Sequence, residues 1–142
     1  MWEAMKYLWK RVCFCLLLLG VTALLAGCGE TEPEGKIRDL EFTVLEESDI
    51  PKALAEVIEE NKQKEMKLSY QNEGYLYIAR GFGEQKTGGY SISVPQFYLA
   101  EDGIHVKFEL IGPQSGTEIK EEASYPYIVI KTEGLDETIM FE

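Results

Sequence analysis

Short runs in which apolar and polar residues alternate, separated by turn residues, constrain the fold of this chain more than any other feature of its sequence. The clearest run covers residues 104–110, where Ile104, Val106 and Phe108 are separated by imidazole or charged side chains. Side chains two residues apart lie on the same face of a strand, so this run predicts a strand with one buried face. Further strands are predicted at residues 66–70, 75–79, 90–94, 97–99, 127–131 and 138–141.

One segment has helical spacing instead. Its apolar positions, which fall on one face of a helix, are Ile50, Leu54, Val57 and Ile58. The preceding segment Ser48–Pro51 offers a capping side chain and a proline, which the first helical turn tolerates. The helical pattern ends near residues 61–63.

The residues before this helix predict one more half-buried strand, because Leu40, Phe42 and Val44 alternate with polar neighbours. The chain therefore has one predicted helix and about seven or eight short strands. We predict an α+β fold, a mainly antiparallel β sandwich or barrel with one helix near the N-terminus of the domain.

The N-terminal residues predict a targeting segment. A basic cluster within residues 1–11 precedes an apolar stretch at residues 12–26, which is the layout of a secretory signal. A membrane-spanning helix needs about 20 apolar residues, and this stretch is shorter. Small residues then precede Cys28, in a pattern that resembles a bacterial lipobox. A plain cleaved signal and a retained anchor are the alternatives.

The resemblance to a lipobox implies cleavage before Cys28 and acylation of Cys28 as the new N-terminus, which would hold the protein at the outer, extracytoplasmic face of a bacterial membrane. We therefore predict a lipoprotein signal peptide at residues 1–27, a polar tether at residues 28–36 and a β-rich domain at residues 37–142. The other two cysteines, Cys13 and Cys15, precede Cys28, so the domain has no thiol for catalysis, disulfides or metal binding.

Composition argues against several classes of function. The chain has 14 Lys and Arg residues against 25 Asp and Glu residues, a formal net charge of -11, which disfavours a nucleic-acid partner. Its one histidine, His105, is predicted on the exposed face of a strand, and no catalytic motif accompanies it. Glu101-Asp102-Gly103 predicts a hairpin turn rather than a calcium loop. We predict no catalysis, no metal, no small-molecule substrate and no cofactor besides the lipid on Cys28.

The segment Arg80–Tyr90 is unusually rich in glycine and lies between two predicted strands. A phosphate-binding loop is excluded, because it requires a following helix and a Gly-Lys-Ser/Thr order. One interpretation is a structural loop in which Gly88-Gly89 forms a bulge and Tyr90 packs into the core. The other is a loop presented to a protein partner. Its predicted binding residues are Gly83, Lys86, Thr87, Gly88, Gly89 and Tyr90.

The run GEQKTGGYSISV, with YLYIARG before it and SYPYIVIKT near the C-terminus, resembles the PrcB family of protease-complex subunits. Its TGGY-like motif is Thr87-Gly88-Gly89-Tyr90. The resemblance implies a non-catalytic surface lipoprotein that associates with, stabilises or helps mature a surface or secreted protease.

The segment Lys86–Tyr90 is also similar to the Thr-Thr-Gly-Tyr-type loop of chagasin-like inhibitors of cysteine proteases. Here a glycine, Gly88, replaces the second threonine, and both tryptophans, Trp2 and Trp9, lie in the predicted signal peptide. An inhibitor and a structural envelope lipoprotein therefore stay open as alternative functions.

Overall fold

The computed structural model describes Met5, Gly29 and residues 31–142. The predicted signal peptide, apart from Met5, and Cys28, the predicted lipidation site, lie outside the described residues. No helix among the described residues combines the length and apolar character needed to cross a bilayer. Residues Pro33–Glu142 form one compact unit.

This unit contains eight strands in two four-stranded sheets. The strands are β1 (Lys36–Asp39), β2 (Thr43–Val44), β3 (Glu65–Asn72), β4 (Tyr75–Phe82), β5 (Ser91–Ala100), β6 (Gly103–Ile111), β7 (Tyr127–Glu133) and β8 (Ile139–Phe141). Sheet A has the order β1-β5-β6-β8, and sheet B has the order β2-β7-β4-β3. All pairs are antiparallel except β6 with β8. The predicted fold class, a mainly antiparallel β structure with one helix, is confirmed.

The two sheets pack face to face around the main core. Ile78 and Ile130 from sheet B meet Ile104 and Val106 from sheet A, and all four side chains are fully buried. Neighbouring core residues on one strand, such as Leu76 with Ile78 and Ile104 with Val106, are two residues apart, which is the alternation that predicted the strands. This packing holds the ends of β4, β5, β6 and β7 in fixed positions.

The α-helix α1 (Lys52–Asn61) covers the other face of sheet B. Leu54 and Ile58 are buried against Tyr77, Ala79 and Val129 of β4 and β7. Strands β4 and β7 are therefore buried on both faces, which explains the continuous apolar run at residues 75–79.

The predicted start of the helix is wrong in its detail. A short 3-10 turn at Glu47–Asp49 contains Ser48, Pro51 occupies the N-cap position, and no side chain caps either helix. Of the predicted apolar stripe, Val57 is 40% exposed. The buried stripe of α1 is narrower than the predicted one, because Val57 lies beside the face of the helix that packs on sheet B.

The predicted half-buried strand at residues 40–44 is also wrong. Only Leu40 of its three apolar residues is buried, whereas Phe42 and Val44 are exposed by 38% and 54%. The chain leaves sheet A after β1 and joins the edge of sheet B at β2, so the alternation spans two sheets instead of one strand. Strand β1 begins at Lys36, which is the last residue of the predicted tether, so the first strand starts one residue before the predicted domain.

Candidate functional site

The glycine-rich segment between β4 and β5 forms a loop at one end of the sandwich. It lies against a second loop, residues 112–126, which connects β6 to β7. Gln85 and Ser124 exchange two backbone hydrogen bonds of 2.8 and 2.9 Å. The amide of Gly88 donates a further bond of 3.0 Å to the carbonyl of Lys120. We call residues 83–90 and 112–126 together the loop pair.

A side-chain bond adds to this connection. The hydroxyl of Ser124 donates to the carbonyl oxygen of Thr87 at 2.7 Å. Thr87 in turn donates its own hydroxyl proton to the carbonyl of Gly88 at 3.2 Å. Each bond fixes a backbone group that a free loop would leave to water, so the bend at residues 86–88 is held in one conformation.

The glycines of the loop have different structural roles. Gly83 is buried with a positive φ of 72°, and its Cα faces the backbone of Lys64 and Glu65 at the start of β3. Gly89 is exposed, has a φ of 86°, and lies against Pro113. Both positions require the conformation that glycine adopts most readily.

Gly88 differs from these two glycines. Its φ is not in the positive region, and a Cβ added there would lie 3.8 Å from Lys120, at ordinary contact distance. The fold therefore does not require glycine at this position.

The remaining predicted site residues lie on the outer part of this loop. Lys86 is exposed and makes no ion pair within the part of the chain that the structure describes. Tyr90 is half-buried beside Gly112 and belongs to neither core cluster. The structure therefore contradicts the interpretation in which Tyr90 packs into the core.

Two exposed isoleucines lie on the second loop and at the strand that leads into it. Ile111 pairs with Ser91 directly after the TGGY motif and is 43% exposed. Ile119 precedes Lys120, the partner of Gly88, and is 41% exposed. Neither was predicted as a site residue; the available signal is that Ile119 is apolar in an otherwise polar loop.

Comparison with known families bears on the same part of the chain. Residues 76–133 match the family model described as PrcB C-terminal, which covers β4 to β7 and the whole loop pair. This match agrees with the resemblance to the PrcB family that the sequence indicated, and we call residues 76–133 the PrcB C-terminal segment. No curated protein and no solved structure matches the chain.

The PrcB C-terminal segment also contains His105, whose predicted exposure is wrong. Only 14% of its side chain is exposed, because the ring stacks on Tyr98 with centroids 4.9 Å apart and planes 6° from parallel. Its Nδ1 atom lies 2.5 Å from Glu142, and its Nε2 atom lies 2.7 Å from Asp102. The hydrogen bonds to Glu142 and Asp102 raise the pKa of His105 above its usual 6.5. Since both ring nitrogens are occupied, this histidine does not have the free nitrogen that a general base needs.

A groove of about 890 Å³ lies at the opposite end of sheet B from the loop pair, beside β2. Its apolar lining consists of Leu40, Phe42, Leu45 and Tyr75, and the Lys131 ammonium lies 3.9 Å from the centre of the Tyr75 ring. The described residues contain no group of three or more His, Cys, Asp or Glu side chains placed to hold a metal.

Proposed function

We propose that this protein is a non-catalytic, membrane-anchored surface lipoprotein that acts as an accessory or binding subunit of an extracytoplasmic protease complex. The observation that carries the proposal is the position of the loop pair, which is exposed, internally hydrogen-bonded and wholly inside the PrcB C-terminal segment. The predicted lipid on Cys28 would keep the domain at the outer membrane face, where surface and secreted proteases act.

The chemistry of the loop pair supports a protein partner. Lys86 offers an exposed ammonium, and Gly88 allows a partner's backbone to come close to the bend. Ile111 and Ile119 add exposed apolar surface on the adjoining segment. Because hydrogen bonds already order the bend, binding there carries a smaller entropic cost than ordering a free loop.

The test is site-specific photocrosslinking of the full chain in its native cell envelope. A photoreactive residue replaces Lys86, and a control probe replaces Lys52, which is 92% exposed on α1. We expect the probe at residue 86 to crosslink a protease or a subunit of its complex, and the probe at residue 52 to leave that protein unlabelled. Equal labelling from both positions, or none from residue 86, contradicts the proposal.

Substitution at Gly88 separates contact from folding. Gly88→Ala adds one methyl group at ordinary contact distance from Lys120, so it should keep the free energy of unfolding and reduce crosslinking at residue 86. An unchanged crosslink yield in a correctly folded Gly88→Ala protein contradicts a close approach at this bend.

The chagasin-like alternative is favoured by one observation, the placement of Thr87 in the bend at the end of the sandwich. It predicts that the purified protein slows a papain-like protease and that Thr87→Arg removes this effect. Inhibition without a stable protease-complex partner would replace the accessory function. A structural envelope lipoprotein would show neither inhibition nor a protease crosslink.

A further inference from the structure

The outer face of sheet A carries a cluster of ionisable side chains that the proposed function does not use. Its centre is His105 on β6, which bonds Asp102 in the β5–β6 turn and Glu142 directly after β8. The cluster therefore links the last strand of the described chain to the body of sheet A through one imidazole ring.

The geometry favours the protonated form of this ring. Both partners of His105 are carboxylates, and an ionised carboxylate only accepts hydrogen bonds. A neutral imidazole has one N–H, so it can donate to one of the two, whereas an imidazolium donates to both. Charge-assisted bonds of this kind are stronger than bonds between neutral groups.

The other groups that face His105 do not reverse this preference. Tyr98 on β5 stacks on the ring, and burial raises the pKa of its phenol, so it stays neutral at physiological pH. Lys36 on β1 lies on the Tyr98 ring, 5.9 Å from its centre, and also pairs with Asp39. Lys107, the next residue of β6 on this face, pairs with Glu109.

Strand β8 has few other attachments to sheet A. It is three residues long and pairs in parallel with β6. Two backbone hydrogen bonds frame the pairing, from Ile104 to the Thr138 carbonyl at 2.8 Å and from Glu142 to the Val106 carbonyl at 2.9 Å. Ile139 and Phe141 pack on the edge of the main core but stay partly exposed. A short edge strand of this kind opens at low free-energy cost unless side chains hold it.

We propose that Asp102, His105 and Glu142 form a pH-responsive latch that holds β8 on the edge of sheet A. The latch is closed while the imidazole is charged and both carboxylates are ionised. When β8 opens, His105 loses its hydrogen bond to Glu142 and keeps the one to Asp102, so its pKa falls toward the ordinary value.

The direction of the pH effect follows from the sign of the shifts. The pKa of His105 is raised in the closed state, so its contribution is complete below about 6.5 and is lost as the pH rises through the closed-state pKa. The hydrogen bond from His105 lowers the pKa of Asp102, so the bond to that carboxylate is lost as the pH falls through a value below 3.8. The latch is therefore closed in mildly acid solution and weakens toward alkaline pH.

The first measurement is an NMR titration of the ring protons of His105 in the full chain, which has one histidine and so one imidazole signal. We expect a pKa above 6.5 in the native protein and a lower pKa in Glu142→Gln. Glu109→Gln removes an equal charge from the same strand without touching the ring and should leave the pKa unchanged. A native pKa at or below 6.5, or an equal shift in both variants, overturns the proposal.

The second measurement is hydrogen exchange at the amides of Ile104 and Glu142, corrected for the intrinsic rate at each pH. Protection should fall as the pH rises, by about tenfold for each unit that separates the native pKa of His105 from its pKa in Glu142→Gln. Protection in His105→Gln should be low and independent of pH. Should that variant fail to fold, Glu142→Gln must show the same loss of pH dependence. Protection that does not change with pH in the native protein contradicts the latch.

Discussion

The two adjacent glycines of the TGGY motif differ in whether the fold requires a glycine at their position. Gly89 needs its positive φ, whereas the neighbouring Gly88 does not. The sequence places the two side by side without distinguishing them, because the difference depends on which way Pro113 and Lys120 approach from the second loop.

This contrast gives a stability prediction. Gly89→Ala combines a strained φ with a Cβ 2.9 Å from the Pro113 side chain and should cost about 1–2 kcal/mol of unfolding free energy or more. Gly88→Ala should change it by less than about 0.5 kcal/mol. Urea unfolding of both variants checks the pair, and equal losses would show that the bend tolerates no side chain at either position.

A second residue-scale prediction concerns the two-residue turn between β3 and β4. Glu73 and Gly74 both have positive φ, 51° and 81°, as a type I′ hairpin turn requires. Glutamate is poorly suited to this conformation, and asparagine is among the residues that adopt it most readily. Glu73→Asn should therefore stabilise the protein by about 0.5–1 kcal/mol in thermal unfolding. Glu73→Gln removes the same charge without that preference, so an equal gain from it would attribute the effect to charge.

At the scale of elements, alternation predicted most of the strands, because a period of two is set by strand geometry wherever one face is buried. The strands predicted separately at residues 90–94 and 97–99 form one strand, β5, whose register is irregular between Ser93 and Gln96. Alternation failed between Leu40 and Val44, where the chain crosses from one sheet to the other. It placed His105 on the outer face of its strand but did not reveal what covers the ring there. Tyr98 stacks on it, and Glu142, 37 residues away in sequence, reaches it through the β6–β8 pairing. Pairings between distant segments of this kind are not encoded in local periodicity.

The helix provides the prediction at this scale. Ile58 is 2% exposed and packs on sheet B, whereas Val57 on the adjoining face is 40% exposed. Ile58→Ala should cost about 2–5 kcal/mol of unfolding free energy, and Val57→Ala should cost far less. Denaturant unfolding measures both. Similar costs would mean that α1 packs on sheet B with a different face.

At the scale of the whole molecule, the partner surface could be predicted only in part. The TGGY loop is visible in the sequence, but its pairing with residues 112–126 and the exposure of Ile111 and Ile119 arise from tertiary structure. No periodic pattern marks the second loop. The loop pair is thus the product of two connections brought together by the stacking of the sheets.

Membrane attachment is the corresponding whole-molecule prediction. Metabolic labelling with palmitate should mark the native protein, and Cys28→Ser should remove the label and release the protein from the membrane fraction. Cys15→Ser, in the apolar stretch before the cleavage site, should leave both unchanged. Labelling that persists in Cys28→Ser would place the lipid elsewhere or exclude the anchor.

The extent of the family match has a practical consequence for any fragment of this protein. Residues 76–133 supply only the two inner strands of each sheet, so a fragment cut at those limits lacks β1, β2, β3, β8 and the helix. Such a fragment would leave four bare strand edges and the apolar side of sheet B in contact with water, which favours aggregation. Recombinant work on this domain should therefore begin no later than Pro33 and continue through Glu142.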